Sequence, residues 1–295
     1  MAETAPATTL AISPSRLHDF VELTKPRITF LVLVTAAVGY ALGLRGAFEA
    51  STFLFLMCGT ALLSGGASAL NQYLERDADA RMRRTRNRPI PAGRVAPAEA
   101  LAFGLVICAA GHAFLVASGW LAALLGLASA ASYLLVYTPL KRVTSLCTVV
   151  GAVPGALPPM MGWAAARGRL DAGAWTLFAI LFLWQLPHFL SLAWMYREDY
   201  ERGGFPMLPV TDRDGSATGR QAVLYAAALL PATLLAGVLA GAGEAFLWSA
   251  LALGLLFLGF SVRFAWKRTV ASARGLFLLS VLHLPAVLTL LVLGR

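Results

Sequence analysis

The sequence predicts an all-α integral membrane protein of nine transmembrane helices. Three observations carry that prediction. Of its 295 residues, 58% are hydrophobic and only 13% charged, with a mean hydropathy of +0.71, whereas a soluble domain carries about 25% charge. Apolar runs of about 20 residues, the length that crosses a bilayer as a helix, recur along the whole chain. Finally, all of the 24 lysines and arginines except Arg45, Arg167, Arg169 and Arg295 fall on alternate connecting segments, the same side as the N-terminus. The positive-inside rule makes that side cytoplasmic and requires an odd number of spans.

In chain order, residues 1–24 are polar and rich in Pro, Ser, Thr and Ala, and lack the basic-then-apolar pattern of a signal peptide. Residues 1–15 read as a flexible tail and 16–24 as a short interfacial helix. Residues 25–295 read as one membrane domain, with spans at about 27–44, 51–71, 98–118, 119–138, 144–165, 173–195, 221–241, 245–265 and 275–294. Pro154, Pro158, Pro159, Pro187, Pro231 and Pro285 lie inside spans, which is tolerable where neighbours satisfy the freed backbone groups. The net charge of +9 belongs to connecting segments and is no nucleic-acid signal. Cys58, Cys108 and Cys147 lie in apolar runs without metal or disulfide spacing and read as packing residues.

The two longest loops, about 72–97 and 196–220, share the cytoplasmic side and carry both acids and arginines. Long ordered loops are usually functional, so a polar mouth above an apolar cavity is expected. At the end of the second span, Asn71, Glu75 and Asp79 stand at i, i+4 and i+8. On a helix they form one stripe, able to face one Mg²⁺, which takes one or two carboxylates plus phosphates and waters. Asp77 points away, free to cap the helix or pair with an arginine. The arginines that follow read as positive-inside anchors or as phosphate ligands. Arg84 and Arg88 fit the second role, since Pro89 and Pro91 stiffen the loop. A solvated, salt-bridged helix end explains a lone Asp better than it explains this trio with its arginine run.

Tyr137 and Lys141 are also four apart, at the end of the fourth span. Pro139 between them argues against an unbroken helix. The pair reads equally as a diphosphate-binding cation beside a ring and as an interfacial Tyr with a topogenic Lys. The second loop brings Glu198, Asp199 and Glu201, an ordinary polar loop taken alone but a possible second Mg²⁺ site at the same mouth. His18 reads as an interfacial bystander. His112, His188 and His283 lie within spans, where a packed histidine is commoner than a ligand. His188 and His283 stand near prolines and can touch the polar part of a bulky substrate.

These segments resemble the UbiA superfamily of intramembrane prenyltransferases. The superfamily's Asn-x-x-x-Asp-x-x-x-Asp pattern matches Asn71, Glu75 and Asp79, with Glu in the middle place. Within it, NQYLERDADARMRRTRNRPIPAGR from Asn71, YTPLKRVTSLCTVVGAVPGALPPMMGWA from Tyr137, WQLPHFLSLAWMYREDYERGGFPMLP from Trp184 and LTKPRIT from Leu23 resemble the protohaem IX farnesyltransferase (haem O synthase) family. Many relatives have Asp-x-x-x-Asp in the second acidic motif, but here Gly203 stands four residues after Asp199, so Glu198 or Asp199 would serve alone. The resemblance implies a nine-helix bundle around a central cavity in the cell inner membrane. It implies farnesyl diphosphate and protohaem IX as substrates, Mg²⁺ as the cofactor and haem O as the product. Arg142 would join Arg84, Arg88 and Lys141 around the diphosphate, and His188 or His283 would meet the haem, as far as its iron. Contact with the enzyme that converts haem O to haem A is a further expectation. Two alternatives remain at this stage. One is a prenyltransferase of aromatic quinone precursors. The other is a haem transporter or assembly factor, which nine spans with prolines would permit.

Overall fold

The computed structural model describes residues 14–295, so the tail expected over 1–15 falls, up to residue 13, outside the described residues. Among the described residues the regular structure is all helical. In order it forms α1 (Pro14–Leu23), α2 (Pro26–Gly43), α3 (Ala50–Arg81), α4 (Pro97–Ser118), α5 (Trp120–Ala131), a π-helical turn (Ser132–Tyr137) and α6 (Thr138–Leu140). Then follow α7 (Cys147–Arg167), α8 (Ala172–Met195), α9 (Arg197–Gly203), α10 (Leu208–Thr211), α11 (Ser216–Ala240), α12 (Glu244–Lys267) and α13 (Val270–Leu293). Among the described residues nine helices are long and apolar enough to cross a membrane, α5 through α6 counting as one. The protein is a multi-pass membrane protein.

Two departures from the expected boundaries place the site. The second span was expected to end near residue 71, but α3 runs on to Arg81 and is 32 residues long. At 1.5 Å per residue that is about 48 Å, well beyond the roughly 30 Å hydrocarbon core, so its last turns stand at the mouth. The break expected at Pro139 does not occur. The chain stays helical from Trp120 to Leu140 because residues 132–137 widen into a π turn. A wider turn leaves room where the proline ring would otherwise meet the preceding carbonyls.

Close helix approach replaces hydrophobic drive, since lipid is as apolar as the helix faces. Helices α2 and α7 nearly touch. A Cβ on Gly39 would stand 1.9 Å from the Pro159 carbonyl oxygen, and one on Gly162 would stand 1.9 Å from that of Ala36. Pro158 frees the Pro154 carbonyl, which accepts from Ser129 Oγ at 3.0 Å. One buried cluster joins α7, α8, α11, α12 and α13, another α2, α3, α4, α5 and α7. At the mouth Ala78, Met82, Cys147, Ala193, Phe205 and Met207 form a third. It seats the 196–220 loop on α3. Of the cysteines, Cys147 is buried as expected, while Cys58 faces outward from α3.

The interfacial segment is pinned to the membrane domain. Arg94 pairs with Asp19 and reaches Glu22 at 2.8 Å, Arg16 meets Glu99 at 2.5 Å, and Gln72 donates to the Leu23 carbonyl at 2.9 Å.

Candidate active site

The helical stripe expected of Asn71, Glu75 and Asp79 is present on α3, with relative exposures of 2, 3 and 0%. Asp77, on the far side, is exposed beside Arg76. Each member of the stripe faces its own cation. Lys25 Nζ donates to Asn71 Oδ1 at 3.1 Å, Lys141 Nζ to Glu75 Oε1 at 2.7 Å, and Arg88 Nη1 to Asp79 Oδ2 at 2.6 Å. The Asn71 amide is oriented by donating through Nδ2 to Thr138 Oγ1 at 3.2 Å. Thr138 donates to the Tyr133 carbonyl at 2.8 Å, so the π turn anchors the stripe.

Asp79 Oδ1 is buried and has no hydrogen-bond partner among the described residues. An unsatisfied buried oxygen is costly and calls for an explanation. Among the described residues no three of His, Cys, Asp or Glu gather as a metal site. The two carboxylates and one amide oxygen of the stripe are nonetheless the donor set Mg²⁺ accepts, because substrate phosphate and water complete its octahedron. The donor types fit the ion, and Asp79 Oδ1 is unpartnered among the described residues.

The surrounding cations are tuned by the same crowding. Burial, then the nearby Arg88 charge, pushes the Lys25 ammonium down to about 7. Burial also opposes the Lys141 charge, but Tyr137 and Glu75 beside it reverse that and hold it above its ordinary value. Lys141 lies 5.3 Å from the Tyr137 ring centroid and 4.8 Å from that of Phe205, and Tyr137 stacks on Tyr133 at 5.7 Å. Tyr137 and Lys141 thus share a face after all. Arg142 is exposed and caps the Leu74 carbonyl at 3.0 Å. Arg84 is exposed over Tyr196 and Tyr200, at 5.3 and 5.8 Å.

Asp199, expected as a metal ligand, has another occupation. Its carboxylate accepts the backbone N–H of Arg83 at 3.1 Å and of Arg84 at 3.3 Å, and pairs with Arg202. Burial would raise its pKa, but Arg202 and the two amides hold it below the usual carboxylate range. These three donors use most of its lone-pair positions and clamp one loop on the other. Glu198 and Glu201 are exposed.

His188 and His283 lie away from the mouth. His188 is seven residues from the end of α8, roughly 10 Å along the helix. Its Nδ1 hydrogen-bonds Ser280 Oγ at 2.7 Å, and its ring lies 5.0 Å from Trp184 and 4.8 Å from Phe277. Buried His283 stacks on Phe257 at 4.7 Å, and its Nδ1 has no partner among the described residues.

This geometry is a buried anionic stripe ringed by cations at one end of a nine-span bundle, and comparison with known proteins gives it a family. The model of the UbiA prenyltransferase family matches residues 32–283. A Solibacter usitatus protein named Protoheme IX farnesyltransferase is 48% identical over 289 residues, 95% of this chain and 99% of that one. The chain belongs to the UbiA prenyltransferase family. A second protein of the same name, from Salinibacter ruber, is 44% identical over 93% of this chain and 98% of its own.

The fold is shared with other UbiA-type proteins at much lower identity. A digeranylgeranylglyceryl phosphate synthase structure aligns with a TM-score of 0.80 and 15% identity, covering 95% of this chain and 98% of its own. A UbiA homolog from Archaeoglobus fulgidus, solved with GPP and Mg²⁺ bound, aligns at 0.62 with 12% identity, over 92 and 99%. The site residue that the sequence reading missed in this UbiA-type prenyltransferase is Lys25. Its one signal was the LTKPRIT segment, where a lysine at a helix start reads as topogenic.

Proposed function

We propose that the protein transfers the farnesyl group of farnesyl diphosphate to the 2-vinyl group of protohaem IX, with addition of water, giving haem O and diphosphate. The observation that carries the proposal is the likeness at 48% identity over 95% of the chain to a protein named Protoheme IX farnesyltransferase. The stripe at the mouth supports the diphosphate half of the reaction. Asn71, Glu75 and Asp79 would hold Mg²⁺, which, when bound, neutralises charge on a diphosphate group.

Lys141 and Arg88 then grip the diphosphate oxygens, and Arg84 and Arg142 add positive potential at the rim. As the allylic C–O bond breaks, the electron pair leaves with the diphosphate, and this fixed charge lowers the barrier. Stacked Tyr133 and Tyr137 offer π faces to the developing allylic cation. The vinyl carbon attacks it, water adds to the resulting benzylic-type cation, and a proton is lost. The apolar interior holds the farnesyl chain at about 0.8 kcal/mol per buried CH₂ and keeps water from the first cation. His188 and His283 would meet the haem from the bundle interior. The positive-inside bias supports a mouth on the cytoplasmic side, and the inner membrane follows from the family resemblance.

Membranes containing the protein, given protohaem, farnesyl diphosphate and Mg²⁺, should yield a product with the mass of haem O. Prenylation of 4-hydroxybenzoate instead, or haem movement without a prenylated product, would refute the proposal.

A further inference from the structure

Lys25 is placed where a lysine is expensive. Its φ of +48° and ψ of 63° lie in the left-handed region, which strains a residue with a Cβ and suits glycine. The conformation itself serves the turn between α1 and α2, with Lys25 N–H on the Glu22 carbonyl at 3.1 Å and Pro26 opening the next helix. Glycine would make that turn without strain. The lysine side chain therefore has its own use.

That side chain is partly buried. Among the described residues its ammonium has one hydrogen-bond partner, the neutral Asn71 oxygen at 3.1 Å, and no carboxylate within ion-pair distance. An ammonium has three N–H donors, so most of its capacity is open. Asn71 Oδ1 is also the oxygen a metal on the stripe would use. Glu75 and Asp79 are each paired, with Lys141 and Arg88, while Lys25 sits beside them on the neutral Asn71. Lys25 is thus a donor at the stripe that no carboxylate among the described residues engages, free to take a phosphate oxygen in a charge-assisted hydrogen bond.

We propose that Lys25 is a diphosphate-binding residue, held on Asn71 until metal and diphosphate arrive together and then passed from the amide to a phosphate oxygen. The inference rests on the prenyl diphosphate reading of the same mouth, and it makes α2, through its first residues, part of the substrate grip. It also gives Lys25 two opposite effects. Alone, a divalent ion competes with Lys25 for Asn71. With diphosphate present, Lys25 helps.

The test is calorimetric titration of the purified full chain with Mg²⁺ alone and with inorganic diphosphate plus Mg²⁺, alongside thermal melting. Lys25→Gly should melt at or above the wild-type temperature, bind Mg²⁺ alone severalfold more tightly, and bind diphosphate with Mg²⁺ at least tenfold more weakly. Lys25→Arg should recover most of the diphosphate affinity. If Lys25→Gly binds diphosphate as wild type does, Lys25 is only a turn residue and the inference fails while the prenyl diphosphate reading stands. If the wild-type protein itself binds no diphosphate with Mg²⁺, both fall. Binding of diphosphate without any prenylation of haem would leave Lys25 in place and remove only the choice of acceptor.

Discussion

Two aspartates that look alike in the sequence have opposite states in the structure. Asp79 and Asp199 both sit among arginines in polar segments at the same mouth. Among the described residues, Asp79 ends a buried helical stripe, has one ion pair and keeps Oδ1 unpartnered. Asp199 accepts two backbone amides and a guanidinium. A buried oxygen without a partner is costly, and under the proposed function a metal ion relieves it, whereas the three donors on Asp199 hold structure.

The sharpest way to break this contrast is Asp79→Asn. We expect a folded, inserted protein whose haem O formation falls by about 100-fold, the upper end of what loss of a group supporting a metal site costs. Product mass and initial rate at saturating Mg²⁺ are the measurements, and near-normal turnover would remove the stripe from the mechanism.

Lys141→Ala comes next. It strips Glu75 of its 2.7 Å partner, and a buried charge left unpaired costs about 3–5 kcal/mol. Both the melting temperature and the farnesyl diphosphate KM should suffer, the KM rising tenfold or more. An unchanged KM would confine Lys141 to a structural pairing.

Asp199→Asn tests the other half of the contrast. It should lower stability by about 1–3 kcal/mol while turnover stays within about tenfold of wild type. A loss as deep as that of Asp79→Asn, in a protein that melts normally, would make Asp199 a ligand. The wild-type clamp also predicts a pH effect. The folded-state pKa of Asp199 is depressed, so its contribution is present above the unfolded value of about 3.9 and is lost as pH falls through the lower folded value. Protease nicking of residues 196–215 should therefore rise on acidification below about pH 4, and the Asn variant should show the higher rate already at neutral pH.

The sequence made the spans legible because lipid enforces an apolar run of fixed length on each of them. The stripe was legible because Asn71, Glu75 and Asp79 keep helical spacing whatever surrounds them. The clamp was not, since Asp199 meets Arg83 and Arg84 through backbone amides more than a hundred residues away, and backbone donors leave no trace in residue type. Lys25 was hidden for a related reason: it opens the first span, while its amide partner lies 46 residues on. The helix through Pro139 was misread because a π turn depends on room in the bundle and not on composition.

The smallest effect concerns the histidines, which repeat the contrast deeper in the fold. His188 Nδ1 is tied to Ser280 and His283 Nδ1 is not tied to anything described. Ser280→Ala should cost about 0.5–1.5 kcal/mol and free the His188 ring to turn. If that ring stacks against the haem, the protohaem KM should rise by a few fold while the farnesyl diphosphate KM holds. Equal changes in both constants would instead mean that Ser280 only braces α13 against α8, and that the haem lies elsewhere in the bundle.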